Sequence, residues 1–195
     1  MIDKIKSIIR NSIDIKEIIY LDNKIIKTIE KVSNVIIDSF TNEGKVLFCG
    51  NGGSAADAQH LAAEFSDRFY FDRPPLFSEA LHVNSSYVTA VANDYSYDEI
   101  YARLVQAMGK KGDVLVGLST SGNSSNIVKA FIKAKEIGIK TIALTGSKSS
   151  KLSEISDYLI NVPSNITPRI QESHIMIGHI ICELVEENIF RSYKK

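Results

Sequence analysis

The sequence has no surplus charge, few cysteines and no long apolar run, and each lack removes a class of function. Lys plus Arg number 23 and Asp plus Glu number 23, so the formal net charge is zero. A balanced chain has no general electrostatic pull toward nucleic acid or an anionic membrane surface, so neither is expected as a partner. No apolar stretch approaches the roughly 20 residues needed to span a bilayer. The start, Met1-Ile2-Asp3-Lys4-Ile5-Lys6, alternates charge with isoleucine and lacks the apolar core of a secretory leader. The only cysteines are Cys49 and Cys182. Two thiols make no disulfide framework, so a reduced pair in a cytoplasmic protein is expected. Internal repeats and low-complexity segments are also missing.

What remains is 195 residues, 44% hydrophobic and 24% charged, enough for one domain with a three-layer core. Residues 1–40 carry isoleucines at helical spacing, among them Ile5, Ile8, Ile9 and Ile13, then Ile25, Ile29, Val32 and Ile36. They read as two helices broken near Leu21-Asp22-Asn23. Such an entry packs either on another subunit or over its own sheet, and the pattern leaves both open. Over 45–195 apolar strands alternate with helical patterns: strands at 45–49, 78–83, 113–118, 140–144 and 158–162. Helices are expected at 54–68, 85–92, 97–108, 124–137 and 168–190, the last opening on Pro168. This alternation predicts an α/β fold, a parallel sheet with helices on both faces and ligands at the carboxyl ends of its strands.

Two strand-to-helix loops stand out. Gly50-Asn51-Gly52-Gly53-Ser54 follows Val46-Leu47-Phe48-Cys49, and Ser119-Thr120-Ser121-Gly122-Asn123-Ser124 follows Val114-Leu115-Val116-Gly117-Leu118. Backbone N–H groups at a helix start hold an anion, and hydroxyls add donors and acceptors for a phosphate ester or polyol. Two such loops argue for a phosphorylated sugar. Gly50-x-Gly52-x-x-Ala55 loosely fits a dinucleotide fingerprint, but Leu81-His82-Val83-Asn84 offers no acid for a ribose. No Gly-Lys-Ser/Thr follows either loop, which excludes a nucleotide P-loop.

Beyond the first loop, His60, Glu64 and Arg68 step by four and share one predicted helical face. That stripe reads as a row of salt bridges or, through the His-x-x-x-Glu pair, as ligands for a divalent metal. In the last helix Gln171 and His179 lie eight residues apart, about 80° around the axis, so both can face one cavity. His179 sits in an apolar stretch and needs a partner, structural or metallic. His174 points away from it and is expected at a surface or interface, while His82 shows no partner. Asn93-Asp94 serves either as a helix cap or as a grip on a vicinal diol.

Taken together, Cys49-Gly-Asn-Gly-Gly-Ser-Ala-Ala-Asp57, Ala92-Asn-Asp94, Gly112-Asp-Val114, Ser119-Thr-Ser-Gly-Asn-Ser124 and Arg169-Ile-Gln-Glu172 resemble the sugar-isomerase (SIS) domain, and within it the phosphoheptose isomerase family. The resemblance runs along nearly the whole chain and implies a single SIS domain, a three-layer sandwich entered by the helices of 1–40. It implies conversion of sedoheptulose 7-phosphate to D-glycero-D-manno-heptose 7-phosphate, the first step toward ADP- or GDP-heptose for lipopolysaccharide or capsule. By the same resemblance Asn51, Gly52, Gly53, Ser54, Glu64, Arg68, Asn93, Asp94, Ser119, Thr120, Ser121, Ser124 and Gln171 bind substrate. His60, Glu64, Gln171 and His179 match positions that hold zinc, and Glu64 with His179 match the acid/base pair. A homotetramer with active sites between subunits is implied too.

The sequence departs from the family at Asn84, where many relatives have Asp, and at Ser147-Lys148-Ser149-Ser150, which replaces Asp-Gly-Gly. A non-catalytic SIS protein that tetramerises and binds a replication initiator shares the first loop and Arg-Ile-Gln-Glu. It lacks counterparts of Glu64 and His179 and breaks the hydroxyl run, all of which this chain keeps.

Overall fold

The computed structural model describes residues 1–193. Two helices open the chain, α1 (Ile2–Leu21) and α2 (Asn23–Thr41), separated where the sequence breaks its pattern. Asp22 makes the break by accepting from the Lys24 and Ile25 N–H groups, a side-chain cap that starts α2. The core then alternates: β1 (Val46–Gly50), α3 (Gly53–Ser66), β2 (Ser78–Ala80), α4 (Ser85–Asp94), a 3-10 turn Tyr97–Glu99 and α5 (Ile100–Met108). It continues with β3 (Val114–Ser119), α6 (Ser125–Ile137), β4 (Lys140–Thr145), α7 (Lys151–Ile155), β5 (Tyr158–Asn161) and α8 (Thr167–Ile189).

All five strands are parallel, in the order β2-β1-β3-β4-β5. Alternate strand residues face opposite layers. Val46, Phe48, Val114, Val116, Ile142 and Leu144 pack toward α2, α3 and α8; Leu47, Cys49, Leu115 and Ala143 pack toward α5 and α6. Burial on both faces explains why these strands read as unbroken apolar runs. Burial also pushes both thiols, Cys49 and Cys182, far above the usual cysteine range and keeps them protonated; both are free.

Three expectations shift in detail. The second strand keeps only three of its six expected residues, with Leu81 N still bonded to the Phe48 carbonyl beyond it. Helix α7 went unpredicted; Ser150 and Ser153 build its capping box from residues that look like a loop. The entry helices differ in how far the chain itself covers them. α2 buries Ile25, Ile29, Val32 and Ile36 over the sheet, whereas α1 buries only Ile15 and Ile19 and leaves Ile2, Ile5, Ile8, Ile9 and Ile13 exposed. Among the described residues no helix is long and apolar enough to cross a membrane.

Candidate active site

The chain runs from β1 out to β2 on one side and crosses to β3 on the other, so the strand order reverses between β1 and β3. Gly50 pairs with Leu118 in register, which brings the two notable loops out side by side at that switch point. Gly52 holds φ +57° just before α3, a left-handed conformation that favours glycine. Asn51 exchanges amide hydrogen bonds of 2.9 Å with buried Asn126, tying the first loop to the start of α6. In the second loop the Ser119 and Ser124 hydroxyls lie 3.3 Å apart, and the Gly122 N–H donates to Ser119 Oγ. Gly122 carries φ +66°, and a Cβ there would meet Ser150 Oγ at 2.1 Å, so α7 buttresses this loop. Ser54 and Ser119 are buried, Thr120 and Ser124 half-buried, and Ser121 exposed.

The other half of the site comes from two helices in contact. Gly178 lets α8 sit against α3, since a Cβ would lie 2.5 Å from both Leu61 methyls. The next residue, His179, thereby comes within 5.0 Å of the His60 ring, centroid to centroid. His60 Nε2 and Glu64 Oε1 are 3.0 Å apart, one helical turn from each other. One ligand atom each from His60, Glu64 and His179 falls within 4.8 Å of the others. Gln171, near the start of α8, meets the first loop: its amide stands 2.7 Å from where a Gly53 Cβ would be.

The donor set fits a zinc-type ion. Imidazole and carboxylate ligands at about 2.0–2.2 Å in a tetrahedron lie roughly 3.4 Å apart, within reach of small rotations from the observed spacing. Asp57, one turn before His60, carries a buried Oδ2 with no hydrogen-bond partner. Burial raises its pKa, and the nearby imidazoles of His60 and His179 pull the other way. An unpaired carboxylate oxygen beside two imidazoles belongs to a polar centre, not to a closed apolar core.

The chain matches the SIS domain family model over residues 15–146. A phosphoheptose isomerase of Aneurinibacillus thermoaerophilus is 55% identical over 192 residues, spanning 98% of this chain and 97% of its own. This chain belongs to the phosphoheptose isomerase family of SIS domains. Two solved phosphoheptose isomerases share the architecture. The Neisseria gonorrhoeae protein is 38% identical with a TM-score of 0.89, and the Francisella tularensis protein is 35% identical with a TM-score of 0.91; each match covers 95% of this chain and 98% of the other.

Within this phosphoheptose isomerase fold the two loops open at the switch point, while His60, Glu64 and His179 meet where α3 packs on α8, and two expectations change. Arg68 does not continue the face of His60 and Glu64: α3 ends at Ser66, the chain turns at Asp67, and Arg68 is exposed. His174 is fully buried, not a surface residue. It does point away from His179, but α8 is packed on more than one side, and the turned face meets the sheet. There its ring sits 3.2 Å from the Thr145 carbonyl at the end of β4, and Nδ1 has no partner. Burial lowers its pKa to about 4, against a smaller upward pull from the Thr145 carbonyl. Asn93 and Asp94 are exposed at the end of α4, their side chains joined at 3.0 Å, and the following turn reaches the first loop where Tyr97 donates to Asn51 Oδ1.

Sequence reasoning missed Asn126, Tyr101 and Phe69. Tyr101 is fully buried and donates to the Gly50 carbonyl, fixing the end of β1. Phe69 lays its ring 5.7 Å from the His179 imidazole. None carries a local signal, because each acts on a residue far away in sequence.

Proposed function

We propose that the chain is an aldose–ketose isomerase that converts sedoheptulose 7-phosphate to D-glycero-D-manno-heptose 7-phosphate, opening a route to nucleotide-activated heptose. The single observation that carries the reading is the meeting of Glu64 and His179, from two distant helices, in a chain whose two anion-type loops open side by side. Family membership fixes the class of chemistry, and the relatives named phosphoheptose isomerase point to the substrate.

The reaction moves a proton from C1 of the ketose to C2, and a hydroxyl proton from O1 to O2, through an enediol. Glu64 removes and returns the carbon-bound proton, and His179 serves the oxygens as acid. The hydroxyls of Ser54, Ser119, Thr120, Ser121 and Ser124, with helix-start N–H groups, hold the phosphate far from the reacting carbons and fix the sugar between them. Asn51, Gly52 and Gly53 line the approach, Asn93 and Asp94 grip hydroxyls, and exposed Arg68 adds charge at the rim.

His60, Glu64, Gln171 and His179 would hold a zinc-type ion, which when bound polarises the substrate carbonyl as a Lewis acid. A carboxylate held by a metal is a weaker base, so Glu64 would take the carbon-bound proton only when not engaged by such an ion. The exposed isoleucine face of α1 supports a homotetramer, and kinship to biosynthetic isomerases supports a cytoplasmic protein. The test is direct. Purified protein is incubated with sedoheptulose 7-phosphate and the aldose followed by NMR. Glu64→Gln should cut turnover by roughly 100-fold or more; near-normal turnover in that variant rejects the base.

A further inference from the structure

Arg73 and Glu186 form an ion pair in the loop-to-helix packing behind the site, with side chains 0% and 1% exposed. Neither touches the substrate loops, and the chemistry above uses neither. A buried pair of this kind is weak evidence of stability in itself, because desolvation offsets most of its attraction. Its connections are what distinguish it.

Arg73 turns its guanidinium onto the end of α3. Nη2 donates to the Glu64 carbonyl at 2.9 Å, and Nη1 to the carbonyls of Phe65, Asp67 and Pro74 at 2.8, 3.0 and 3.1 Å. A cation therefore caps the carbonyl end of the helix that carries His60 and Glu64, where orphan acceptors and the negative dipole end favour it. The fifth donor, Nε, reaches Glu186 Oε1 at 2.9 Å. Glu186 lies on α8, two turns beyond His179, and also accepts from the N–H groups of Phe69 and Tyr70 at 2.7 Å each. Burial alone would raise its pKa, but the Tyr70, Phe69 and Arg73 donors outweigh that and hold the carboxyl below its usual range. The same carboxylate thus fixes the backbone of Phe69, whose ring lies against His179.

We propose that Arg73 and Glu186 are positioning residues for the isomerase centre: they lock the end of α3 to α8 and so set the His60–Glu64 pair against His179. The proposal rests on the isomerase reading for its kinetic consequence, but not for its structural one. Apolar packing, with Gly178 against Leu61 and Phe65 in one core with Ile181 and Cys182, brings α3 and α8 together, and this tie adds a directional polar lock at the helix end that carries Glu64.

Two mild variants test it. In Glu186→Gln the side chain keeps its shape, but its NH2 must face a backbone N–H or Arg73, so at least one donor is lost. Arg73→Lys keeps the charge and loses the fork across four carbonyls. The chain has four histidines, so their ring resonances are separable by NMR. The expected result is a weakened ring-to-ring NOE between His60 and His179, with His82 unmoved. Cobalt(II) affinity, read by visible absorption, should fall about 10-fold or more. kcat on sedoheptulose 7-phosphate should fall comparably while KM stays within about two-fold, because the hydroxyl loop lies on other elements and Gly53 and Ser54 sit at the end of α3 remote from Arg73. Variants that unfold at lower urea yet keep the NOE and the cobalt affinity overturn the proposal, as does a rise in KM with kcat unchanged. If wild type does not turn over the sugar, the isomerase reading fails, and the NOE still decides the tie. Should Glu186→Gln fail to fold, Arg73→Lys alone decides by the same readouts.

Discussion

Replacing His174 with glutamine separates one buried proton site from every other titrating group. Thr145 offers only a carbonyl, so His174 must donate to it through Nε2–H, which leaves Nδ1 as a bare lone pair without a partner. Protonation would place a charged N–H at Nδ1 among apolar side chains with no acceptor, and the folded state resists it down to about pH 4. In the unfolded chain the ring takes its proton near pH 6.5. Below that value the unfolded state binds the extra proton first, so stability is full above about 6.5 and falls as the pH drops toward 4. The gap between 6.5 and about 4 is worth about 3 kcal/mol at the low end of that window. Glutamine at 174 keeps an N–H donor at nearly the same reach and cannot titrate. Urea unfolding at pH 7.5 and 4.5 should show wild type losing about 2–3 kcal/mol more than His174→Gln over that interval. Parallel losses within about 0.5 kcal/mol would refute the argument, since every carboxylate is common to both proteins.

Two further predictions concern the helix contact and the metal. Gly178→Ala gains about 1 kcal/mol of helix propensity but drives a methyl into Leu61, which is buried beside a void of only about 10 Å³. Overpacking at about 1–3 kcal/mol outweighs the gain, so the midpoint of urea unfolding should fall and turnover with it, and Leu61→Ala should restore part of the activity. Prolonged treatment with a strong chelator should abolish isomerisation, with recovery on adding zinc; full activity in metal-free protein, checked by elemental analysis, rejects the ion's role.

Much of the fold could be read ahead because its signals are local. Asp22 marks the break between α1 and α2, and unbroken runs such as Val114-Leu115-Val116 announce strands covered on both faces. The three-residue β2 was overestimated, since beyond Ala80 Leu81 keeps one bond to β1 while Val83 already turns out to solvent. The site was legible where residue types repeat at helical spacing, as with His60 and Glu64, or where a resemblance assigned them, as with Gln171 and His179. Arg68 was misplaced because nothing nearby says that α3 stops at Ser66; the cap comes from Arg73, in a loop beyond it. Glu186 carried no signal in the sequence, since its partners lie 113 or more residues away. His174 shows the same limit: a helix wheel tells which way a ring turns, and not whether water or a neighbour waits there.

The outermost strands are also the shortest, three residues in β2 and four in β5. A sheet bounded in this way offers a newcomer little backbone to pair with, so growth by stacking one molecule's sheet onto another's is discouraged. Self-association of this chain is therefore steered away from its strands and onto the surfaces of its helices, where side chains, not main-chain groups, choose the neighbour.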